Sequence, residues 1–249
     1  VEAVRPQVIV NAGAYTAVDR AEDDQPNAAS LNALAPKNLA ELAKAHGALL
    51  VHYSTDYVYD GSGQVPRRED APPAPLSVYG RTKLEGDQHI AASGCEHLIF
   101  RTSWVYATRG HNFIKTMLRL GQEREVLSVI DDQWGAPTSA ELIADVTAQA
   151  ITATRGSDVP SGVYHLVAKG ETSWHQYASY IFFVARELRP DLPLQVRDVK
   201  AIPTSAYPTP AVRPLNSRLD CSKLERTFEL TLPDWRLGVR RTLTELLCP

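Results

Sequence analysis

The segment PLSVYGRTKLEGD, residues 75–87, places a phenol at Tyr79 and an ammonium at Lys83. In a helix, side chains four apart share one face with their Cβ atoms about 5–6 Å apart. A neighbouring ammonium favours phenolate and lowers a tyrosine pKa that is ordinarily about 10. A phenol tuned this way can give or take a proton near neutral pH. The pattern alone is weak, because Tyr and Lys are common. A surface helix with an aromatic residue packed on its neighbour also produces it.

The surroundings sharpen the reading. VHYSTDYVYDG puts Ser54 and Thr55 at the carboxyl end of an apolar run. In open α/β sheets, ligands bind just beyond the carboxyl ends of the strands. The Thr55 hydroxyl could bond a substrate carbonyl or the Tyr79 phenol, or could simply cap the following turn. An earlier apolar run ends in NAGA, residues 11–14. Small side chains there admit a flat ligand to the backbone, or serve tight strand-to-helix packing.

These residues need elements to hold them. PQVIVNAGA (6–14), ALLVHYSTD (48–56) and EHLIFRTSWVY (96–106) read as buried strands. Residues 26–46 read as helix, with Gly47 as its C′ residue. A long loop covers 57–76, and a helix over 77–93 starts at Ser77 as N-cap. A helix near 111–123, the strand VLSVI and a helix over 139–153 follow. The alternation predicts an α/β fold with a parallel sheet. Beyond residue 160 come the strand GVYHLVA, a helix capped by Thr172 or Ser173, an irregular proline-rich stretch over 201–220 and a C-terminal amphipathic helix.

Bulk properties exclude several classes. The 249 residues, 44% hydrophobic and 22% charged, suit a soluble globular protein with an ample core. A net charge of −3 carries no bulk basic character for nucleic acid or an anionic membrane. No apolar run approaches the ~20 residues that span a bilayer. Cys95, Cys221 and Cys248 are odd in number and scattered, so a reduced, cytoplasmic setting is expected. The seven histidines lack metal-ligand spacing.

Ser/Thr at a strand end, YxxxK on the next helix and NAGA at an earlier strand end together resemble the extended short-chain dehydrogenase/reductase superfamily. VHYSTDYVYDG, YGRTKLEGD, LIFRTSWVY, NFIKTML, DDQWGAPTSAELIAD and IPTSAYPTPAVRPLNSRLD are more closely similar to the dTDP-4-dehydrorhamnose reductase family, over essentially the whole chain. The resemblance implies a Rossmann-like, doubly wound parallel sheet with a smaller C-terminal substrate lobe. Residues 1–125 would be the dinucleotide-binding part, with 139–168 returning to it, and 126–249 mainly the substrate lobe.

It also implies roles. Tyr79 would protonate the C4 oxygen of dTDP-4-dehydro-L-rhamnose as NADPH or NADH delivers hydride to C4, giving dTDP-L-rhamnose. Lys83 would hold the nicotinamide ribose and lower the Tyr79 pKa, with Thr55 as the third catalytic member. Ala12, Gly13, Ala14, Tyr15 and Thr16 would lie along the cofactor. Asp56 and Trp104 would line the sugar pocket, and Arg213 would meet the diphosphate through its bidentate fork. Asn32 matches a position near the active site of this superfamily, or is a solvent-facing helix residue. Some relatives hold Mg2+ among glutamates. Glu141 and Glu245 fall where two of these would lie and the third would precede residue 1, so no metal site is predicted. The expected partner is a nucleotide sugar, with neither nucleic acid nor membrane. The resemblance admits a homodimer, but the sequence leaves the oligomeric state open.

The chain departs from the family pattern at its start. The glycine-rich GxxGxxG turn that cradles a dinucleotide pyrophosphate has no counterpart among the 14 glycines. About fifty residues are expected to be missing relative to the family pattern. On that expectation, this stretch alone binds dinucleotide poorly and exposes a sheet edge. A dehydratase would carry Glu after Thr55-Asp56, where this chain has Tyr57. An epimerase is not separated by motifs alone. A non-catalytic regulatory subunit of the same fold also stays open, although it has no need of a Tyr79 proton donor.

Overall fold

The computed structural model describes residues 1–154 and 160–248. The strands used below are β1 (Val8–Asn11), β2 (Leu49–Thr55), β3 (His97–Thr102), β4 (Val126–Ile130), β5 (Gly162–His165) and β6 (Asp198–Ile202). The helices are α1 (Ala35–His46), α2 (Val78–Ser93), α3 (Phe113–Glu123), α4 (Ala140–Thr154), α5 (Trp174–Leu188), α6 (Ser222–Thr227) and α7 (Trp235–Leu247). β1, β2, β3 and β5 pair in that order into one parallel sheet.

Strand periodicity divides the sheet's side chains between two faces. On β2 and β3, Val51, Leu98 and Phe100 pack with Ile143, Val146 and Leu224 from α4 and α6. Leu50 and Ile99 point the other way, onto Ala40 and Ala43 of α1 and Ile90 of α2. The result is the expected α/β architecture, with helices on both faces of a parallel sheet. The helix ends follow local chemistry. Ser77 Oγ accepts from the Gly80 N–H at 3.1 Å to start α2, and Gly47 ends α1 at φ +62°.

A second core gathers α3, α5 and α7 with β4 and β6, around Met117, Leu127, Ile181, Phe182, Trp235 and Val239. α3 contributes Ile114, Met117 and Leu118 to it. α3 therefore packs on elements of the 126–249 half of the chain. Residues 140–154 and 162–166 pack on the sheet, and so does α6, from deep within the 126–249 half.

Three local features differ from the sequence reading. The expected helix over 26–46 is broken: Gln25–Ala29 runs into a π turn at Ser30–Leu34 before α1 begins. EHLIFRTSWVY is β3 plus a separate short strand, Val105–Tyr106. β6 takes in the first two residues of the expected irregular stretch, Ala201 and Ile202, and pairs parallel with β4. That stretch then crosses the loop of the first lobe, where the Asn216 N–H donates to the Gly61 carbonyl at 3.0 Å.

Candidate active site

The carboxyl end of β2 delivers Ser54, Thr55 and Asp56, all buried. Across from it, α2 presents Tyr79 in its first turn and Lys83 one turn later. The two elements approach closely because α2 carries glycine where they touch. A Cβ at Gly80 would lie 2.2 Å from the Tyr57 carbonyl oxygen. Farther along α2, where it meets the π turn, a Cβ at Gly86 would lie 2.1 Å from the Asn32 carbonyl oxygen.

Thr55 is the junction of the site. Its hydroxyl donates to Asp56 Oδ1 at 3.1 Å, accepts from the Tyr57 N–H at 3.2 Å and stands close enough to the Tyr79 phenol to favour its ionised form. Burial pushes the Tyr79 phenol up to about 12, and the nearby Thr55 hydroxyl pulls against that rise. The sequence expectation was the reverse, a phenol lowered by Lys83. Lys83 turns its amine away to other partners. Lys83 Nζ donates to the Tyr53 carbonyl at 2.6 Å and lies 3.0 Å from His52 Nε2. Lys83 is 1% exposed, and burial brings its amine down to about 8 against the pull of Asp87.

Asp56 is also buried, and that burial raises its carboxyl to about 6. Ser217 stands close enough to favour its ionised form. Its Oδ2 nevertheless makes no hydrogen bond of normal geometry. Tyr57 sets its ring edge-on to Tyr79, with centroids 5.5 Å apart.

The NAGA turn is pinned from behind. Asn32 is fully buried and does not face solvent. Its Oδ1 accepts from the Tyr15 N–H at 2.8 Å, and its Nδ2 donates to the Tyr15 carbonyl at 3.1 Å and to Thr82 Oγ1 at 3.2 Å. Asn32 sits in the π turn, a feature frequent at functional sites. Ala12, Gly13 and Thr16 stay exposed, and Ala14 and Tyr15 half-buried.

Two further expected residues stand near the members of this cluster: Arg213 lies close enough to Tyr57 to act on its phenol, and a Cβ at Gly135 would meet both Trp104 and Ser217. Trp104 is held at φ +49° and stacks on Trp174, with centroids 3.8 Å apart. Arg213 is engaged by Asp19, its two terminal nitrogens donating to the two carboxylate oxygens at 3.0 and 2.7 Å. Glu245 pairs with Arg241 at 3.3 Å. Glu141 and Asp145 line a separate cleft with Tyr106, Trp235 and Arg241. Among the described residues, no three His, Cys, Asp or Glu side chains come together to hold a metal ion.

Sequence reasoning missed His52, Asp87, Arg101 and Ser217. Only Asp87 had a signal within the motif, four residues beyond Lys83 on the same helical face.

A parallel sheet with helices on both faces, carrying Thr, Tyr and Lys at one strand end, defines a Rossmann-type α/β protein. The chain belongs to the RmlD substrate binding domain family, whose profile matches residues 1–248. A protein of Salmonella typhimurium named dTDP-4-dehydrorhamnose reductase is 53% identical over 246 residues, covering 99% of this chain and 82% of that protein. One from Burkholderia thailandensis with the same name is 48% identical over 251 residues, covering 99% and 84%. The crystal structure of a Clostridium acetobutylicum dTDP-4-dehydrorhamnose reductase aligns with a TM-score of 0.90 at 36% identity, over 98% of this chain and 82% of that one. The Bacillus anthracis dTDP-4-dehydrorhamnose reductase, solved in complex with NADP, aligns with a TM-score of 0.87 at 36% identity, over 98% and 83%.

Proposed function

We propose that the chain is an NAD(P)H-dependent oxidoreductase that reduces the C4 ketone of dTDP-4-dehydro-L-rhamnose to dTDP-L-rhamnose. The observation that carries this reading is the Tyr79 phenol beside Thr55 at the carboxyl end of β2, in a chain about half identical to reductases of that name. When bound, the nicotinamide supplies hydride. The chain's own residues supply the proton. A phenol raised by burial keeps its proton at neutral pH, so it has one to give as the C4 oxygen gains charge. Thr55 orients that phenol, and its donation to Asp56 fixes its own direction.

The residues present fit a dinucleotide at the nicotinamide end. Ala12, Gly13, Ala14, Tyr15 and Thr16 would lie along it, with Tyr79 and Lys83. A Cβ at Gly13 would meet only Asn11 Oδ1, at 3.6 Å, so the strand end stands open to a flat group. Asp56 and Trp104 would face the sugar, and Arg213 the diphosphate. The second lobe would be the substrate lobe. A cytoplasmic setting and a homodimer belong to the same reading. Among the described residues, no helix is long and apolar enough to cross a membrane.

The test is NADPH oxidation with dTDP-4-dehydro-L-rhamnose, alongside Tyr79→Phe. Turnover that falls roughly 10²–10⁴-fold in the variant supports the proton-donor role. Cofactor binding without oxidation in the unmodified protein would overturn the reading in favour of a non-catalytic binding subunit.

A further inference from the structure

His52 lies on β2 with no exposed surface, and no step above uses it. It bridges two parts of the candidate site. Asn11 Nδ2, at the end of β1, is 2.9 Å from its Nδ1. Lys83 Nζ is 3.0 Å from its Nε2. The Gly13 N–H in turn donates to Asn11 Oδ1 at 3.2 Å, which directs the amide NH2 toward the imidazole.

Counting hydrogens constrains this chain. A neutral imidazole has one donor and one acceptor nitrogen. With Nδ1 accepting from Asn11, the ring hydrogen sits on Nε2 and points at Lys83. That contact is a hydrogen bond only when Lys83 offers a lone pair, as a neutral amine. An ammonium in the same place needs a bare Nε2. The ring hydrogen must then move to Nδ1, and the Asn11 amide must turn its oxygen to His52, losing the bond from Gly13. The Gly13 contact, the His52 tautomer and the Lys83 charge therefore change together.

We propose that Asn11 and His52 are positioning residues that couple the Ala12–Thr16 turn to the protonation state of Lys83. Anything that engages the Gly13 N–H, such as a dinucleotide lying along the turn, frees the Asn11 amide to rotate. That rotation permits the Lys83 ammonium.

The groups facing the pair are few. β1 presents Asn11, and β3 presents Ile99 in register with His52. α2 presents Lys83 and, one turn on, Asp87, which favours the ammonium and is itself held by Arg101 and Ser54. Burial and the Lys83 charge hold His52 far below its ordinary range, so no imidazolium enters the scheme.

The test is a pair of NMR titrations of the whole chain, with 15N-histidine and 13C,15N-lysine labels, from about pH 6 to about pH 9.5. His52 is expected to switch from Nδ1–H to Nε2–H over the same range in which Lys83 loses its proton. A tautomer that stays fixed through the Lys83 titration, or an imidazolium, overturns the proposal. His52→Gln supplies an amide oxygen that can only accept from an ammonium. The Lys83 midpoint should rise by about one unit, a tenfold change in amine population, and the alkaline limb of kcat/KM should move with it. A folded His52→Gln protein with both unchanged makes His52 a packing residue and overturns the proposal. If that variant does not fold, the tautomer titration of the unmodified protein decides. The kcat/KM readout rests on the reductase reading, whereas the two NMR titrations do not. A chain that never oxidises NADPH yet shows the tautomer switch loses its assigned function and keeps this coupling.

Discussion

Asp87 Oδ2 accepts from Arg101 Nε at 3.1 Å, with the two side chains only 3% and 6% exposed. Ser54 Oγ donates to the same oxygen at 2.8 Å. Arg101 also donates to the Tyr59 hydroxyl, which meets His165 Nε2 at 2.8 Å. This chain runs beneath the β2 strand end and ties α2, β2, β3 and β5 together. Removing one member of a buried pair leaves the other charge uncompensated, at about 3–5 kcal/mol. Arg101→Leu is expected to lose stability of that order in urea unfolding. Adding Asp87→Asn to it should recover a large part. If the double variant is no more stable than Arg101→Leu, the pair is not the source of the loss.

Gly80→Ala tests whether close approach of α2 to β2 sets the geometry of Tyr79. The added Cβ would fall 2.2 Å from a backbone carbonyl oxygen, which cannot step aside as a flexible side chain would. Helix propensity favours Ala over Gly by about 1 kcal/mol, so a gain in stability is what an unconstrained site would show. The expected outcome is instead a loss of about 1–3 kcal/mol, as for overpacking, with kcat falling more than KM changes. A lower Tm with unchanged kcat would mean that Tyr79 is positioned by other contacts.

Much of this site was legible because its signals are local. Tyr79 and Lys83 share one helix face, Thr55 ends an apolar strand, and NAGA closes another. The sheet followed from β-branched runs alternating with helical ones. What stayed hidden depends on distant partners. His52 reads as one more strand residue until Asn11 and Lys83, 41 and 31 residues away, come to either side of it. Arg101 reads as a charge interrupting a strand until α2 supplies Asp87. β6 escaped because DVKAI mixes charge with small apolar residues, and only its pairing with β4 makes it a strand. The direction of the Tyr79 shift was misread for the same reason. Spacing places Lys83 one turn away, but only the tertiary structure shows its amine turned to His52 and Tyr53.

Asp56 gives the stability a specific pH dependence. Its folded carboxyl lies near 6, against an ordinary 3.8. A raised carboxyl means the folded protein holds a proton that the unfolded chain releases between those values. The contribution is fully present below about pH 3.8 and is lost as pH rises through about 6. The shift corresponds to about 3 kcal/mol. Asp56→Asn cannot ionise, so its stability relative to the unmodified protein should rise between pH 4 and 7 by up to that amount. Denaturant unfolding across this range measures it, and parallel pH curves would contradict it.

The Asp19–Arg213 pair bears on the proposed diphosphate contact. Asp19 engages both terminal nitrogens of the guanidinium, the two-point geometry that phosphate oxygens also satisfy. The pair is partly exposed, at 24% for Arg213 and 41% for Asp19, so its own contribution to stability is small, about 0–1 kcal/mol. If the diphosphate takes over the guanidinium, Asp19 competes with it in the free protein. Asp19→Asn then removes a competing charge and should lower KM for the nucleotide sugar. Arg213→Lys keeps the charge but loses the fork. It should raise KM roughly 10–100-fold, the range of a lost charged hydrogen bond, with kcat within about twofold. KM moving in opposite directions in the two variants is the signature of a shared anion position. Variants that shift Tm and leave KM untouched would make the pair a strut between Val18–Ala21 and the proline-rich stretch.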